Sequence, residues 1–198
     1  MNIIQTLGLA LGAGFSSGLN LYAAVATLGL LQRFGVIHLP ESLHALAHPW
    51  VLGIAIALYL VEFFADKIPV FDLLWNALHT FVRVPVAGLL AYQATRQLSP
   101  EQQLLATLLG AVVAFAAHGG KTAARAAVTP SPEPLSNITL SVVEDVLAVG
   151  LTWLATRHPY VAGALATVFV AIIFVSVRFV IRALRALFRG AEASLLNS

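Results

Sequence analysis

Apolar runs of about 20 residues, the length that spans a bilayer, recur along this chain, and polar residues interrupt them at few places. The first run covers residues 3–31, with a small polar patch at Ser16, Ser17, Gly18 and Asn20. A loop with Arg33 and Pro40 follows, and residues 41–47 form a candidate short helix. The second run starts at Pro49, a favourable first helical residue, and ends near residue 65 beside Glu62 and Asp66. The third covers residues 71–94, with a kink expected at Pro85, and the fourth covers 103–128. A stiff proline-rich turn at 129–134 leads to a fifth helix, which Ser136 or Asn137 can cap. The sixth runs from Pro159 to about residue 180, into a row of arginines, and the residues from Gly190 read as frayed. The expected fold is all-α: a polytopic membrane helix bundle of about six transmembrane helices in one domain, 1–198.

Short echoes divide the chain into candidate halves, 1–98 and 99–190. Leu11-Gly12-Ala13 is repeated at Leu109-Gly110-Ala111, Ala23-Ala24-Val25 at Ala126-Ala127-Val128, and His48-Pro49 at His158-Pro159. Two three-helix halves would be inverted, with broken or re-entrant helices, as in many transporters. The His-Pro echo cuts across this scheme. It pairs the second and sixth helices, which six crossings make parallel, unless residues 41–47 are a re-entrant counterpart of the fifth.

Composition turns apolar runs into a membrane protein. The chain is 59% hydrophobic and 10% charged, with mean hydropathy +0.88, against roughly 25% charged residues in soluble domains. It has no cysteine, which excludes disulfides and thiolate ligands. The N-terminus lacks the basic region of a cleaved leader, so the first helix is expected to be retained. Arg178, Arg182, Arg185 and Arg189 argue for a cytoplasmic C-terminus in a cell inner membrane and for contact with anionic lipid. With six crossings, the N-terminus is then cytoplasmic too.

Charge is sparse but concentrated. Six of the nine acidic residues (Glu62, Asp66, Asp72, Glu133, Glu144, Asp145) fall between the second helix and the early fifth, alongside Lys67, Arg83, Lys121, Arg125, His79 and His118. Helical spacing puts Asp72, Asn76, His79 and Arg83 on one face, and His118, Lys121, Thr122 and Arg125 on another. Asn137, Ser141, Glu144 and Asp145 lie on or near one face of the fifth helix. A charge in hydrocarbon costs at least ~2.5–3.5 kcal/mol, so these stripes must face protein, a cavity or a substrate. Single members such as Asp66 and Lys67 also fit boundary anchors that snorkel to the interface. Arginine and lysine suit a phosphate or carboxylate, and the acids can neutralise them at rest or carry a proton. No cofactor is expected and no metal site, since diagnostic ligand spacing is missing and the cations oppose one. Gly14 to Gly18 fits G-x-S-x-G, but a nucleophile elbow needs a strand–turn–helix. The pairs Gly8/Gly12 and Gly14/Gly18 read instead as helix-packing seams.

Together, S-G-L-N-x-Y (17–22), E-F-x-A-D-K-I-P (62–69), D-x-x-W-x-x-x-H-T-x-x-R (72–83), H-x-x-K-x-x-x-R (118–125) and S-P-E-P-x-S-N…E-D (131–145) resemble a bacterial and plastid membrane family, domain of unknown function 4126. The resemblance spans nearly the whole chain, departs at Asn76, where an acid is frequent, and implies a multi-pass membrane protein with no assigned substrate. The expected function is a small transporter or flippase for an anionic, lipid-linked or free, solute, with coupling by protons or sodium. The alternatives are a membrane enzyme acting on a lipid or polyprenyl phosphate, with Asp72 or His79 as base, and a non-catalytic scaffold. Catalysis is the lesser expectation. Membrane lipids and an anionic solute or headgroup are the expected partners, with no nucleic acid, and the glycine seams are compatible with a homodimer.

Overall fold

The computed structural model describes residues 3–128 and 134–196. Within these, the side chains of residues 69–70, 72–73, 126–128, 134–137, 183–184 and 186–196 are not described. Glu133 therefore lies outside the described residues, as do the side chains of Asp72 and Asn137. The described chain is all-helical: α1 (Ile3–Leu19), α2 (Leu21–Arg33), a 3-10 helix (Glu41–Ala47), α3 (Pro49–Ala65), α4 (Pro69–Ala94), α5 (Pro100–Val128), α6 (Pro134–Arg157) and α7 (Pro159–Leu196).

The first apolar run, expected as one helix, is two. Asn20 adopts an extended conformation (φ −148°, ψ 102°), and its side chain accepts from the Ala23 N–H to cap α2. Neighbours show that α2 folds back along α1. Leu9, Ala10 and Leu28 line one apolar crevice with Leu39 and Leu43, although a straight helix would set Leu9 and Leu28 about 28 Å apart at ~1.5 Å per residue. Asn20 meets Asp145 and the Val36 carbonyl meets Arg157, so α2 runs parallel to α6. Gly12 lies against Ala155, so α1 runs antiparallel to it. The pair is a helical hairpin whose tip, Asn20, is fully buried.

Five helices surround this hairpin. Gly18 beside Arg83, and Ala10 beside Ala91, make α4 antiparallel to α1. Gly14 beside Gly110, and Gly18 beside Ala114, make α5 parallel to it. Gly8 beside Pro159, and Phe15 stacked on Phe169, make α7 parallel as well. The Leu-Gly-Ala echo thus relates helices of the same sense, and the expected inverted halves are not seen. Small residues permit the crowding. A methyl group at Gly8 would sit 2.2 Å from the Pro159 carbonyl oxygen, and one at Gly18 would sit 2.3 Å from that of Ala114. The glycine pairs are packing seams, as their spacing implied.

The exterior is that of a membrane protein. Pro100–Arg125, Ile138–Arg157 and Pro159–Arg182 are each long and apolar enough to cross a bilayer; a fourth span results if the 3-10 helix and α3, bent by 63°, count as one. Large apolar side chains such as Val168, Ile172, Phe174 and Val175 on α7 are exposed, far beyond the apolar patch of a soluble monomer. Six crossings do not follow, because a hairpin enters and leaves at one end of the bundle. The start of α1 lies beside the start of α7, whose far end is at the opposite end. Among the described residues, the start of α1 and the far end of α7 therefore lie toward opposite ends of the bundle. Two smaller expectations change as well: α6 starts at Pro134, ahead of Ser136 and Asn137, and α7 continues through Gly190 to Leu196.

Candidate functional site

Around the hairpin tip the polar stripes of four helices converge. The break at Asn20 leaves the last carbonyls of α1 without helical partners, and cations from two other helices take them. Arg83 of α4 donates through Nη1 to the Leu19 oxygen (3.2 Å), with the Gly18 oxygen at 3.4 Å. Lys121 of α5 donates to the same Leu19 oxygen at 3.2 Å. The negative end of the α1 dipole thus faces two cations, while the positive end of α2 faces the Asp145 carboxylate through Asn20. Asn20 Nδ2 donates to Asp145 Oδ1 at 2.9 Å.

From that tip an unbroken chain of ion pairs runs toward the end of the bundle where α3 and α5 finish. Arg83 Nη2 donates to Glu62 Oε1 at 2.6 Å, and Lys121 reaches the same oxygen at 3.1 Å. Lys121 also binds Asp66 Oδ2 at 3.0 Å and lies 3.5 Å from Glu144 Oε2. Arg125 closes the chain. Its Nη1 donates to the Asp66 carbonyl oxygen (2.9 Å), its Nη2 to Asp66 Oδ2 (2.9 Å) and to Glu144, and its Nε to Glu144 as well. The side chains of Glu62, Arg83 and Lys121 have 0% exposure. Arg83 sits about 16 Å along α4 from Ala94, at ~1.5 Å per residue, well inside the bundle.

Histidines flank the upper part. Arg83 Nη1 donates to His118 Nδ1 at 3.1 Å, so the ring proton sits on Nε2, which faces Thr80 Oγ1 at 2.8 Å and the Asn76 carbonyl at 3.2 Å. This is the neutral tautomer; a second ring proton would point at the guanidinium. His79 Nδ1 donates to the Trp75 carbonyl (2.7 Å), and its Nε2 is hydrogen-bonded with Tyr22 Oη at 2.8 Å. Its ring stacks on Trp75, centroids 4.0 Å apart. Lys67 stands aside. It donates to the Phe63 carbonyl (2.8 Å) with its ammonium over the Phe63 ring.

Of the residues singled out in the sequence, the structure thus joins Glu62, Asp66, Arg83, Lys121, Arg125 and Glu144 directly, with His118 and Asp145 attached at the tip. Lys67 is not in the chain, and His79 is held separately with Tyr22. Asn76 enters through its backbone carbonyl and is itself buried. Asn20, Tyr22, Thr80 and the carbonyls of Gly18 and Leu19 were missed as site groups. The polar patch at residues 16–20 was the available signal. Among the described residues, no group of three or more acidic or histidine side chains is placed to hold a metal ion.

The described architecture is that of a helical membrane protein built around a buried charge network. The family model named Domain of unknown function (DUF4126) matches residues 7–179, and the chain belongs to that family. No curated protein and no solved structure matches it.

Proposed function

We propose that the protein is a small membrane transporter or flippase for an anionic solute, free or lipid-linked, and that the geometry described is its resting, self-neutralised state. One observation carries this reading: a helical hairpin ends inside the bundle, and its tip is bound by a fully buried chain of ion pairs. Hairpin tips and broken helices bring dipole ends and free carbonyls to mid-depth, where transporters bind their cargo. Buried ion pairs are poor stabilisers, because desolvation offsets their attraction and apolar replacements often do as well. A network of three cations kept at such cost is better suited to exchanging partners. Arg125 presents the planar fork that matches carboxylate and phosphate. An incoming anion would take the place of Glu144 on that fork. The arginines of α7 put its far end in the cytoplasm, and the hairpin then opens from the opposite side.

The test is flux in proteoliposomes, with radiolabelled phosphate, a short-chain carboxylate and a fluorescent phosphatidylglycerol as probes, with and without a pH gradient. Flux of one probe above protein-free liposomes, faster under the gradient, is the expected result. Background rates for every probe would reject the proposal. They would favour a second reading, a scaffold that uses the ion pairs to fix helix register, which draws on the pairing of all three buried cations with carboxylates.

A further inference from the structure

The buried network does not balance. Four carboxylates, Glu62, Asp66, Glu144 and Asp145, stand against three cations, Arg83, Lys121 and Arg125. His118 holds a neutral tautomer, because its Nδ1 accepts from Arg83, and His79 lies outside the network, bonded to the Trp75 carbonyl and Tyr22. Three of the acids sit in ion pairs. Asp145 does not: its bonded partner is the neutral amide of Asn20. That amide cannot turn round, because Asn20 Oδ1 caps α2 by accepting from the Ala23 N–H. Asp145 Oδ1 therefore always faces a donor. Its other oxygen, Oδ2, is buried with no partner among the described residues. One turn earlier on the same helix, Ser141 is fully buried and its hydroxyl also lacks a partner.

We infer that Asp145 is the proton-binding site of the network, carrying its proton on Oδ2 while Asn20 holds Oδ1. This deepens the transport reading by naming the group that would take the coupled proton. The surroundings agree from each packed element. From α3 and the turn after it, Glu62 and Asp66 act on Asp145 as like charges, Lys67 acts as a more distant, partly exposed cation, and Tyr59 is within electrostatic range. From α5, Lys121 is the opposing cation, and on α6 itself Glu144 is adjacent. The hairpin brings Asn20 and no charge before Arg33, and α7 brings none before Arg178. A proton on Oδ2 restores neutrality, and its loss leaves one uncompensated negative charge in a low-dielectric interior. The event is a simple O–H dissociation, with the proton passing to water or to cargo.

The test is pH-difference infrared spectroscopy of the full-length protein in nanodiscs. Wild type is expected to show a protonated-carboxyl C=O band equal to one group per chain. The band should vanish as the pH is raised and should be the same in sodium and in choline buffers. Asp145→Asn should lack it. Should that variant fail to fold, Asp145→Glu decides, since a band from residue 145 must move with the longer side chain. A band that survives Asp145→Asn, or stays unmoved in Asp145→Glu, would place the proton elsewhere. Erasure of the band by sodium at fixed pH would make this a cation site, and no titrating band at all would overturn the inference. Flux at background with the band intact would reject transport alone; loss of the band with flux intact would reject the proton site alone.

Discussion

Lys121→Met isolates the energetic heart of the network. The lysine contacts Glu62, Asp66, Glu144 and the Leu19 carbonyl, all buried, and its own side chain has 0% exposure. Breaking a buried pair by removing one partner costs about 3–5 kcal/mol, because the other charge stays desolvated. Here Glu62 keeps Arg83 and Asp66 keeps Arg125, which favours the low end, about 3 kcal/mol. At roughly 2–4 °C per kcal/mol for a chain of this length, the melting temperature should fall by about 6–12 °C. Thermal unfolding in one detergent, followed by size-exclusion fluorescence, reads this directly. Should Lys121→Met melt within about 2 °C of wild type, less than ~1 kcal/mol, the lysine is not the buried counter-ion described, and the reasoning fails.

Glycine packing and the hairpin cap give further tests. Gly18→Ala forces a methyl group to 2.3 Å from the Ala114 carbonyl oxygen, so the backbones must part, at a cost of about 1–3 kcal/mol. Gly53→Ala, with nothing within 4 Å of the added carbon, should be neutral or stabilising by up to ~1 kcal/mol; equal melting temperatures for the two variants would contradict the seam. Asn20→Ala removes the α2 cap, about 0.5–2 kcal/mol, and the bond to Asp145, about 1–3 kcal/mol. Its melting temperature should drop clearly below that of Ser99→Ala, a change in the exposed connection between α4 and α5, and parity would contradict the buried tip.

The sequence carried the helices better than their course. Pro49 and the apolar run behind it located α3, and the stripes through Arg83 and Lys121 located the network, because a charge inside an apolar protein needs a partner. The hairpin was hidden. Residues 3–31 have the composition of one spanning helix, and only Asn20, a single polar residue amid glycines and serines, marks the break. Helix α4 shows the reverse. Asn76, His79, Thr80 and Arg83 make its first half look unfit for lipid, yet that face lies against the hairpin and α5. Which carboxylate lacks a cation could not be read from spacing, since Glu144 and Asp145 are neighbours and differ only in where the helix turns them.

The hairpin is the claim on which the site depends, and it can be tested by sidedness. The native chain has no cysteine, so single cysteines can be placed at Ile4, Phe34 and Ile68, all exposed. Their reaction with a membrane-impermeant maleimide can then be compared in intact cells and inverted vesicles. The account predicts that Ile4→Cys and Phe34→Cys react from the same side, and that Ile68→Cys reacts from the other. Labelling of residues 4 and 34 from opposite sides would mean that residues 3–33 cross the membrane, and it would contradict the account.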